Sequence, residues 1–248
     1  MYYYELRTMQ QIARHLGHDA DAERFAETAA GVKQAFHQRF YTGGDKVYEN
    51  GSQTGLAMAL YMNLVSDTTR QAALGALIRD IESRNYALTA GDVGFRYVVQ
   101  ALQQAGRSDI IYLMNRSSDI PGYAYQLKKG ATALTESWQA YDNVSNNHLM
   151  LGHLMEWLYS GLGGIRYGYG PTITIAPQMV GGVTWAKTSI HIPAGLVSCR
   201  WTSNADHTEW TVECDIPNGI NVEVHLPDGR VMKAESEHIE YSSIVRSK

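Results

Sequence analysis

Two cysteines in 248 residues, with no CxxC and no HExxH, leave little from which to build a redox motif or a structural metal site. Nor does one sign of charge dominate. The 21 Lys and Arg stand against 25 Asp and Glu, a formal net charge of -4. That balance argues against a polyanion-binding surface, and so against nucleic acid as a partner. No stretch reaches the roughly 18 unbroken apolar residues that span a bilayer, so no membrane role is expected. The opening MYYYELRTMQQIARHLG lacks a basic n-region leading into an apolar h-region, which excludes a secretory signal there. Low-complexity segments and a fixed-period repeat are missing too.

What is present divides into two grammars. Residues 1 to about 166 carry helix periods. Leu6, Met9, Ile12, Ala13 and Leu16 recur at three- and four-residue spacing, and Gly17 closes the run. Asp21 is expected to cap a second helix bearing Phe25, Ala29, Val32, Phe36 and Phe40, after which TGGDK turns the chain. Ser52 to Val65 is apolar nearly all round, as an inner helix would be, and Asp67 to Arg84 is its polar-faced partner, with Leu74, Leu77, Ile78 and Ile81 inward. Val93 to Ala105 and Asp109 to Ser117 give another pair, and Asn146 to Leu162 a last long helix. Inner helices alternating with amphipathic ones predict stacked α-hairpins in a toroid or solenoid. After a glycine-rich linker, GLGGIRYGYGP, residues 167–248 become short, β-branched, period-two segments from TITIAP to VMKAE, which predict an all-antiparallel sandwich or roll.

Cys199 and Cys214 flank the turn NADHT. A hairpin centred between Asp206 and His207 sets Cys199 opposite Cys214 and Trp201 opposite Val212, with both thiols on the apolar face. Opposed cysteines on neighbouring strands approach closely enough for a disulfide, and two buried thiols acting as small hydrophobes are the alternative. Neither thiol has a histidine or helix N-terminus placed to activate it.

The stretch SDIPGYAYQLKKGATALTESWQAYDNVSNN, Ser118 to Asn147, is poor in helix periodicity and lies between helices. Loops of that length in a compact helical fold are uncommon and often functional. It holds Glu136 and Asp142 beside Tyr123, Tyr125, Tyr141 and Trp138. Carboxylates among aromatics suit sugar hydrolysis: rings stack on the apolar faces of a sugar, and a carboxylate activates water or attacks the anomeric carbon. The bland reading is an exposed loop fastened down by its aromatics.

The run GATALTESW followed by NNHLMLGHLMEWLYSGLGGI resembles the end of the catalytic domain of bacterial α-L-rhamnosidases, glycoside hydrolase family 78. That family's pattern is GATTxWExW, then NHxxxGxxxEWLYxxLAGI, after TGxVGxxYLLxxLxxxGxxDxA and PSWGY. TAGDVGFRYVVQALQQAGRSDIIY and PGYAY stand in those earlier places, and PQMVGGVTWAK is similar to a PxxxGGxTWAK run of the family's C-terminal domain. The resemblance implies part of an (α/α)6 six-hairpin toroid over residues 1–166, then a β-sandwich over 167–248. It implies inverting hydrolysis of terminal α-L-rhamnosides that needs no cofactor, and no residue pattern in the sequence supports a divalent ion.

Carried over residue by residue, Glu136 matches the general base of the WExW element; Thr135 replaces the first Trp, and Trp138, which retains the second, is expected to hold the sugar with Tyr123 and His148. His148, preceded by Asn147, matches a sugar-contacting histidine, with a packed helix-start histidine as the alternative. Tyr123 stands where a sugar-stacking Trp is common, and Tyr125 follows in PGYAY. Asp92 in AGDVG is a candidate for binding hydroxyls, or simply the N-cap of the helix from Val93. Glu156 reads as structural, and Lys128 and Lys129 as solvent-facing. Nothing in residues 1–50 resembles the family's acid-rich loop, and about seven helices are legible where six hairpins need twelve. Inverting hydrolysis requires two carboxyl groups about 6.5–9.5 Å apart. The expectation is therefore a chain that carries the base, lacks the acid, and begins inside a longer enzyme.

Two rival readings stay open: a catalytically inactive carbohydrate-binding or scaffold module, and an enzyme acting on acidic sugars, for which Lys128, Lys129 and Arg96 are the nearby cations. Inner helix faces left uncovered predict self-association. The resemblance is compatible with an exported, periplasmic or cytoplasmic bacterial setting.

Overall fold

The computed structural model describes residues 1–44, 47–48, 50–168, 172–234 and 237–243. Asp45 and Lys46 of the TGGDK turn, Tyr169, Gly170 and Pro171 of the glycine-rich linker, and Glu235 of VMKAE lie outside the described residues. The helices are α1 (Tyr2–His15), α2 (Asp19–Phe40), α3 (Gln53–Tyr61), α4 (Asp67–Ser83), α5 (Asp92–Gln104), α6 (Ser108–Arg116), α7 (Tyr123–Lys128) and α8 (Leu154–Trp157). They are followed by sheets, so the helical-then-β order is as the sequence predicts. The chain packs as two compact units, residues 1–101 with 117–148, and residues 102–116 with 149–248.

In the first unit, α1 buries Tyr3, Leu6, Gln10 and Ala13, and α2 buries Ala22 and Ala29. Of the expected α1 set, Met9, Ile12 and Leu16 instead face outward. Gly17, at φ +76°, ends α1: the N–H of His18 reaches back to the carbonyl of Ala13 (2.8 Å) and that of Gly17 to Arg14 (3.1 Å). Only a left-handed residue lets both amides turn back onto the last helical turn. Asn63 and Asn85 do the same work after α3 and α4. Asp21 does not cap α2. The helix starts two residues earlier, behind His18, and Asp21 sits in its first turn.

Ser52 caps α3 through the N–H of Gly55 (3.2 Å), and Ser66 with Thr69 forms a capping box for α4. A short hairpin, β1 (Tyr41–Gly43) with β2 (Val47–Tyr48), lies between α2 and α3. Leu56, Ala57, Ala59 and Leu60 of α3 and Leu77 and Ile81 of α4 are buried as expected, whereas Leu74 and Ile78 are half-buried and α3 stops at Tyr61 rather than running to Val65.

The second unit is a sandwich. One sheet is ordered β10 (His238–Ser242), β7 (Trp210–Asp215), β6 (Gly195–Ser203), β5 (Trp185–Ile192). The other is β3 (Ile165–Tyr167), β4 (Thr172–Ile175), β8 (Asn221–His225), β9 (Val231–Ala234). Ile173, Ile175, Val222 and Val224 of one sheet and Val197, Cys199, Trp201 and Val212 of the other share one core. The pairing is antiparallel except between β4 and β8, which run parallel. That departs from the all-antiparallel expectation, because period-two patterning fixes which side chains face inward but not the direction of the neighbouring strand.

The cysteine register is as expected: Cys199 faces Cys214 and Trp201 faces Val212. Both thiols are free and buried, and the hydrogen bond that the Cys199 thiol makes to Cys214, with burial, holds Cys199 well above its usual range.

One local expectation fails. Asn146–Leu162 is not one helix but a 3₁₀ turn (Leu149–Leu151), the single turn of α8, and a π-helical turn at Leu158–Leu162. Gly152 and Gly161 interrupt this segment and Gly163 follows it, and glycine lowers the stability of a continuous helix. The glycine-rich stretch is also tightly packed. A Cβ on Gly161 would meet the Trp157 ring at 2.4 Å, and one on Gly163 would meet Thr188 Oγ1 at 2.0 Å.

Candidate functional site

Asp92, Tyr123, Tyr125, Glu136, Trp138, Asn147 and His148 all belong to the first unit. Residues 87–92 of this unit are held by three sets of hydrogen bonds. Buried Gln53 of α3 donates from Nε2 to the carbonyl of Ala87 (3.1 Å) and accepts at Oε1 from the N–H of Thr89 (3.2 Å). The N–H of Leu88 reaches the carbonyl of Pro121 (3.3 Å), just before α7. The indole N–H of Trp138 donates to the carbonyl of Ala90 at 2.6 Å.

Trp138 is 4% exposed because Phe95 meets its ring edge-on at 4.7 Å and Tyr123 lies 5.8 Å away. Phe95 and Tyr123 also meet, at 6.1 Å, so helix α5, helix α7 and the Glu136 segment share one aromatic knot. Helix α5 approaches α3 closely: a Cβ on Gly94 would lie 2.1 Å from Thr54 Oγ1. Buried Thr135 donates to the carbonyl of Ser137 (2.6 Å) and fixes the turn between Glu136 and Trp138.

Glu136 itself is exposed, yet its carboxylate is not free to wander. Its N–H donates to the carbonyl of Ser145 (2.9 Å), and its Oε2 accepts from the N–H of Ser145 (3.0 Å). Two residues away, the N–H of His148 donates to the carbonyl of Leu134 (2.8 Å). Leu134–Glu136 and Ser145–His148 thus form a short ladder that sets Glu136, Asn147 and His148 on one closed loop. Asn147 is exposed, and its N–H donates to Ser145 Oγ (3.3 Å). His148 is half-buried, and its buried Nδ1 has no hydrogen-bond partner among the described residues. Asp142 is exposed toward the tip of the same loop.

Asp92 is the first residue of α5. Gly91 supplies the carbonyl that accepts from Phe95 (2.8 Å), and the Asp92 carboxylate accepts from Val93 N–H (2.8 Å). Tyr125, one turn-face away from Tyr123 on α7, takes Lys129 over its ring at 5.6 Å. Lys128 and Lys129 are exposed, and Lys128 pairs with Asp119. The stretch read as poor in helix periodicity contains one short helix, α7.

Several residues that hold the site are not prominent in the sequence. Gln53 is the lone amide in an otherwise apolar stretch of helix, and that isolation was its signal. Gln126 of α7 is 3% exposed, and its Nε2 has no partner among the described residues. The Ala90 carbonyl and the Ser145 amide are backbone groups, which no motif reveals. Among the described residues, no group of three or more His, Cys, Asp or Glu is placed to hold a metal ion, and no helix is long and apolar enough to cross a membrane.

Residues 1–162 match the model of the bacterial alpha-L-rhamnosidase 6 hairpin glycosidase domain, and residues 161–240 match the bacterial alpha-L-rhamnosidase C-terminal domain. An alpha-L-rhamnosidase of Streptomyces avermitilis is 28% identical over 240 residues, covering 92% of this chain and 23% of that protein. One from Alteromonas sp. is 27% identical over 231 residues, covering 88% and 25%. The chain thus spans about a quarter of the length of these relatives. Among solved structures, the alpha-L-rhamnosidase of Dictyoglumus thermophilum superposes with a TM-score of 0.88 at 26% identity, over 97% of this chain and 31% of that one. The native enzyme from Aspergillus terreus shares the fold, with a TM-score of 0.91 at 24% identity over 98% and 30%. With both domain models satisfied in order and the fold shared, this chain belongs to the bacterial α-L-rhamnosidase family of six-hairpin glycosidases.

Proposed function

We propose that this chain supplies the general base of an inverting α-L-rhamnosidase, with residues 1–166 forming the C-terminal portion of the catalytic domain and 167–248 the β domain that follows it. The observation that carries the reading is the state of Glu136. Its carboxylate is exposed, but Oε2 is committed to the Ser145 amide. That leaves Oε1 to take a proton from water as the water attacks the anomeric carbon on the face opposite the leaving group.

Trp138, locked on Ala90, Phe95 and Tyr123, holds the loop that presents Glu136. Half-buried Tyr123 offers a ring for the sugar's apolar face, and Asp92, Asn147, His148 and Tyr125 supply groups for its hydroxyls. The proposal assigns the general acid to polypeptide outside these 248 residues, so the chain by itself is expected to be inactive.

The test joins the chain to an N-terminal segment bearing a candidate acid and measures hydrolysis of an aryl α-L-rhamnoside. Glu136→Gln is expected to lower kcat by about 10²–10⁴-fold. Proton NMR should show the β-anomer of rhamnose as the first product. Near-normal turnover in Glu136→Gln removes the proposed base. Sugar binding with no turnover in the joined wild-type protein would favour the inactive carbohydrate-binding module.

A further inference from the structure

We infer that the second unit carries its own sugar-binding subsite, built by Trp185 and Tyr159 along the edge of strand β5. Of the five tryptophans, Trp138, Trp157, Trp201 and Trp210 are at most 5% exposed, whereas Trp185 is 64% exposed. It begins β5, and the alternation of the strand puts Lys187 and Ser189 on the same outward row. With Ala186 and Thr188 of the same strand and Met155, Leu158, Tyr159 and Leu162, this row lines an open depression of about 460 Å³.

The walls are fixed before any ligand arrives. Tyr159 lies in the π-helical turn, a distortion of helical geometry that recurs at functional sites. Thr188 of β5 packs so closely on Gly163 that a Cβ there would stand 2.0 Å from its Oγ1. Ser160 Oγ donates to the carbonyl of Glu156 (2.6 Å), and the Ser160 carbonyl accepts from Arg166 Nε (3.2 Å).

The chemistry of the lining selects the ligand class. Two aromatic faces suit the C–H face of a pyranose, and the Lys187 ammonium and the Ser189 hydroxyl in the same lining can pair with ring hydroxyls. The strand edge adds outward backbone groups, since β5 ends the sheet order β10-β7-β6-β5. The volume falls in the range of small-ligand clefts, about 300–1,000 Å³. A protein partner would need about 1,000 Å² of complementary surface, and a lysine in the edge row discourages strand addition. A mono- or oligosaccharide fits these features. The inference rests on the chain being carbohydrate-active but is independent of Glu136.

Because Trp185 is the one exposed tryptophan, acrylamide quenching reports on it selectively. The 248-residue chain is titrated with L-rhamnose, with a rhamnosyl disaccharide and with D-glucose. At least one sugar is expected to protect Trp185, with half-effect at about 1–10 mM, and Tyr159→Ala should weaken this about tenfold. Trp185→Tyr, read by sugar-induced NMR shifts of the Lys187 and Ser189 backbone amides, keeps an aromatic face and should retain binding here, whereas Trp185→Ala should lose it. Glu136→Gln must bind at this subsite as wild type does, so a failed base assignment leaves the result standing. Absence of protection by every sugar up to about 100 mM overturns the inference, and so does protection that follows protein rather than sugar concentration.

Discussion

The indole N–H of Trp138 and the main-chain carbonyl of Ala90 meet at 2.6 Å across 48 residues of chain, and both residues are buried. This bond joins the segment that leads into α5 to the loop that presents Glu136. Trp138→Phe keeps an aromatic ring against Phe95 but leaves the Ala90 carbonyl buried and unpaired, which costs about 1–3 kcal/mol. Trp138→Ala adds a cavity, and its cost rises to about 3–5 kcal/mol. Urea denaturation of the two variants should rank them in that order. Equal stabilities would mean that the hydrogen bond contributes nothing.

Gly94→Ala places a methyl group 2.1 Å from Thr54 Oγ1, with Thr54 Cγ2 and Cβ within 3.0 Å, so no rotamer of Thr54 clears it. The gain in helix propensity is about 1 kcal/mol. Forced overpacking costs about 1–3 kcal/mol, and the clash should win. Combining it with Thr54→Ala removes Oγ1 and Cγ2 and should recover most of the loss, a coupling above about 0.5 kcal/mol. Additive losses in that double-mutant cycle would place the strain elsewhere.

His238 Nδ1 and Asp215 Oδ1 lie 2.9 Å apart on paired strands β10 and β7. The bond to Asp215 raises the His238 pKa above 6.5, and the bonds from His238 and Ser198 hold Asp215 below 3.8. The histidine's contribution is complete below its unfolded value and fades as pH rises through its raised folded value. The carboxylate's contribution is complete above its unfolded value and fades as pH falls through its lowered one. The pair therefore fastens β10 best between these limits, in the weakly acidic range. NMR titration should place the His238 midpoint above 6.5, and Asp215→Asn should bring it back down. An unchanged midpoint in that variant would sink the pairing.

Helix α1 carries a second apolar stripe, Tyr2, Met9, Ile12 and Leu16, which are 59%, 43%, 45% and 63% exposed. Beside it, Met1, Tyr2, Tyr3, Phe36, Met58 and Met62 help line an open apolar groove of about 310 Å³. Faces of this kind favour association. The 248-residue chain should sediment as concentration-dependent oligomers that Met9→Glu with Ile12→Lys disperses. A monomer at all concentrations would show that this surface is tolerated uncovered.

Much of this molecule was legible in its residues. The 3.6-residue and two-residue periods marked the helical part and the sheets, because which side chains are apolar fixes which face is buried. The hairpin arithmetic around NADHT gave the Cys199–Cys214 register, since an antiparallel pair about a known turn has one free parameter. The long motifs from TAGDVG to GLGGI carried the family. Local sequence failed where a neighbour's geometry intervened. Asn146–Leu162 has the apolar spacing of one helix, yet Gly161 packs against Trp157 and the following Gly163 against Thr188, and the segment breaks into 3₁₀, α and π turns. The parallel β4–β8 pairing left no trace either, because alternation is blind to strand direction.

At the candidate site the division is the same. Sequence by itself placed a carboxylate, a tryptophan and a histidine at the spacing of a sugar-hydrolysing motif. Only the tertiary structure decided that Trp138 is a buried anchor, that Oε2 of Glu136 is held by the Ser145 amide, and that Gln53 ties the neighbouring strand of backbone in place. Those are hydrogen bonds to main-chain groups, and the main chain is the same in every sequence until folding sets it in space.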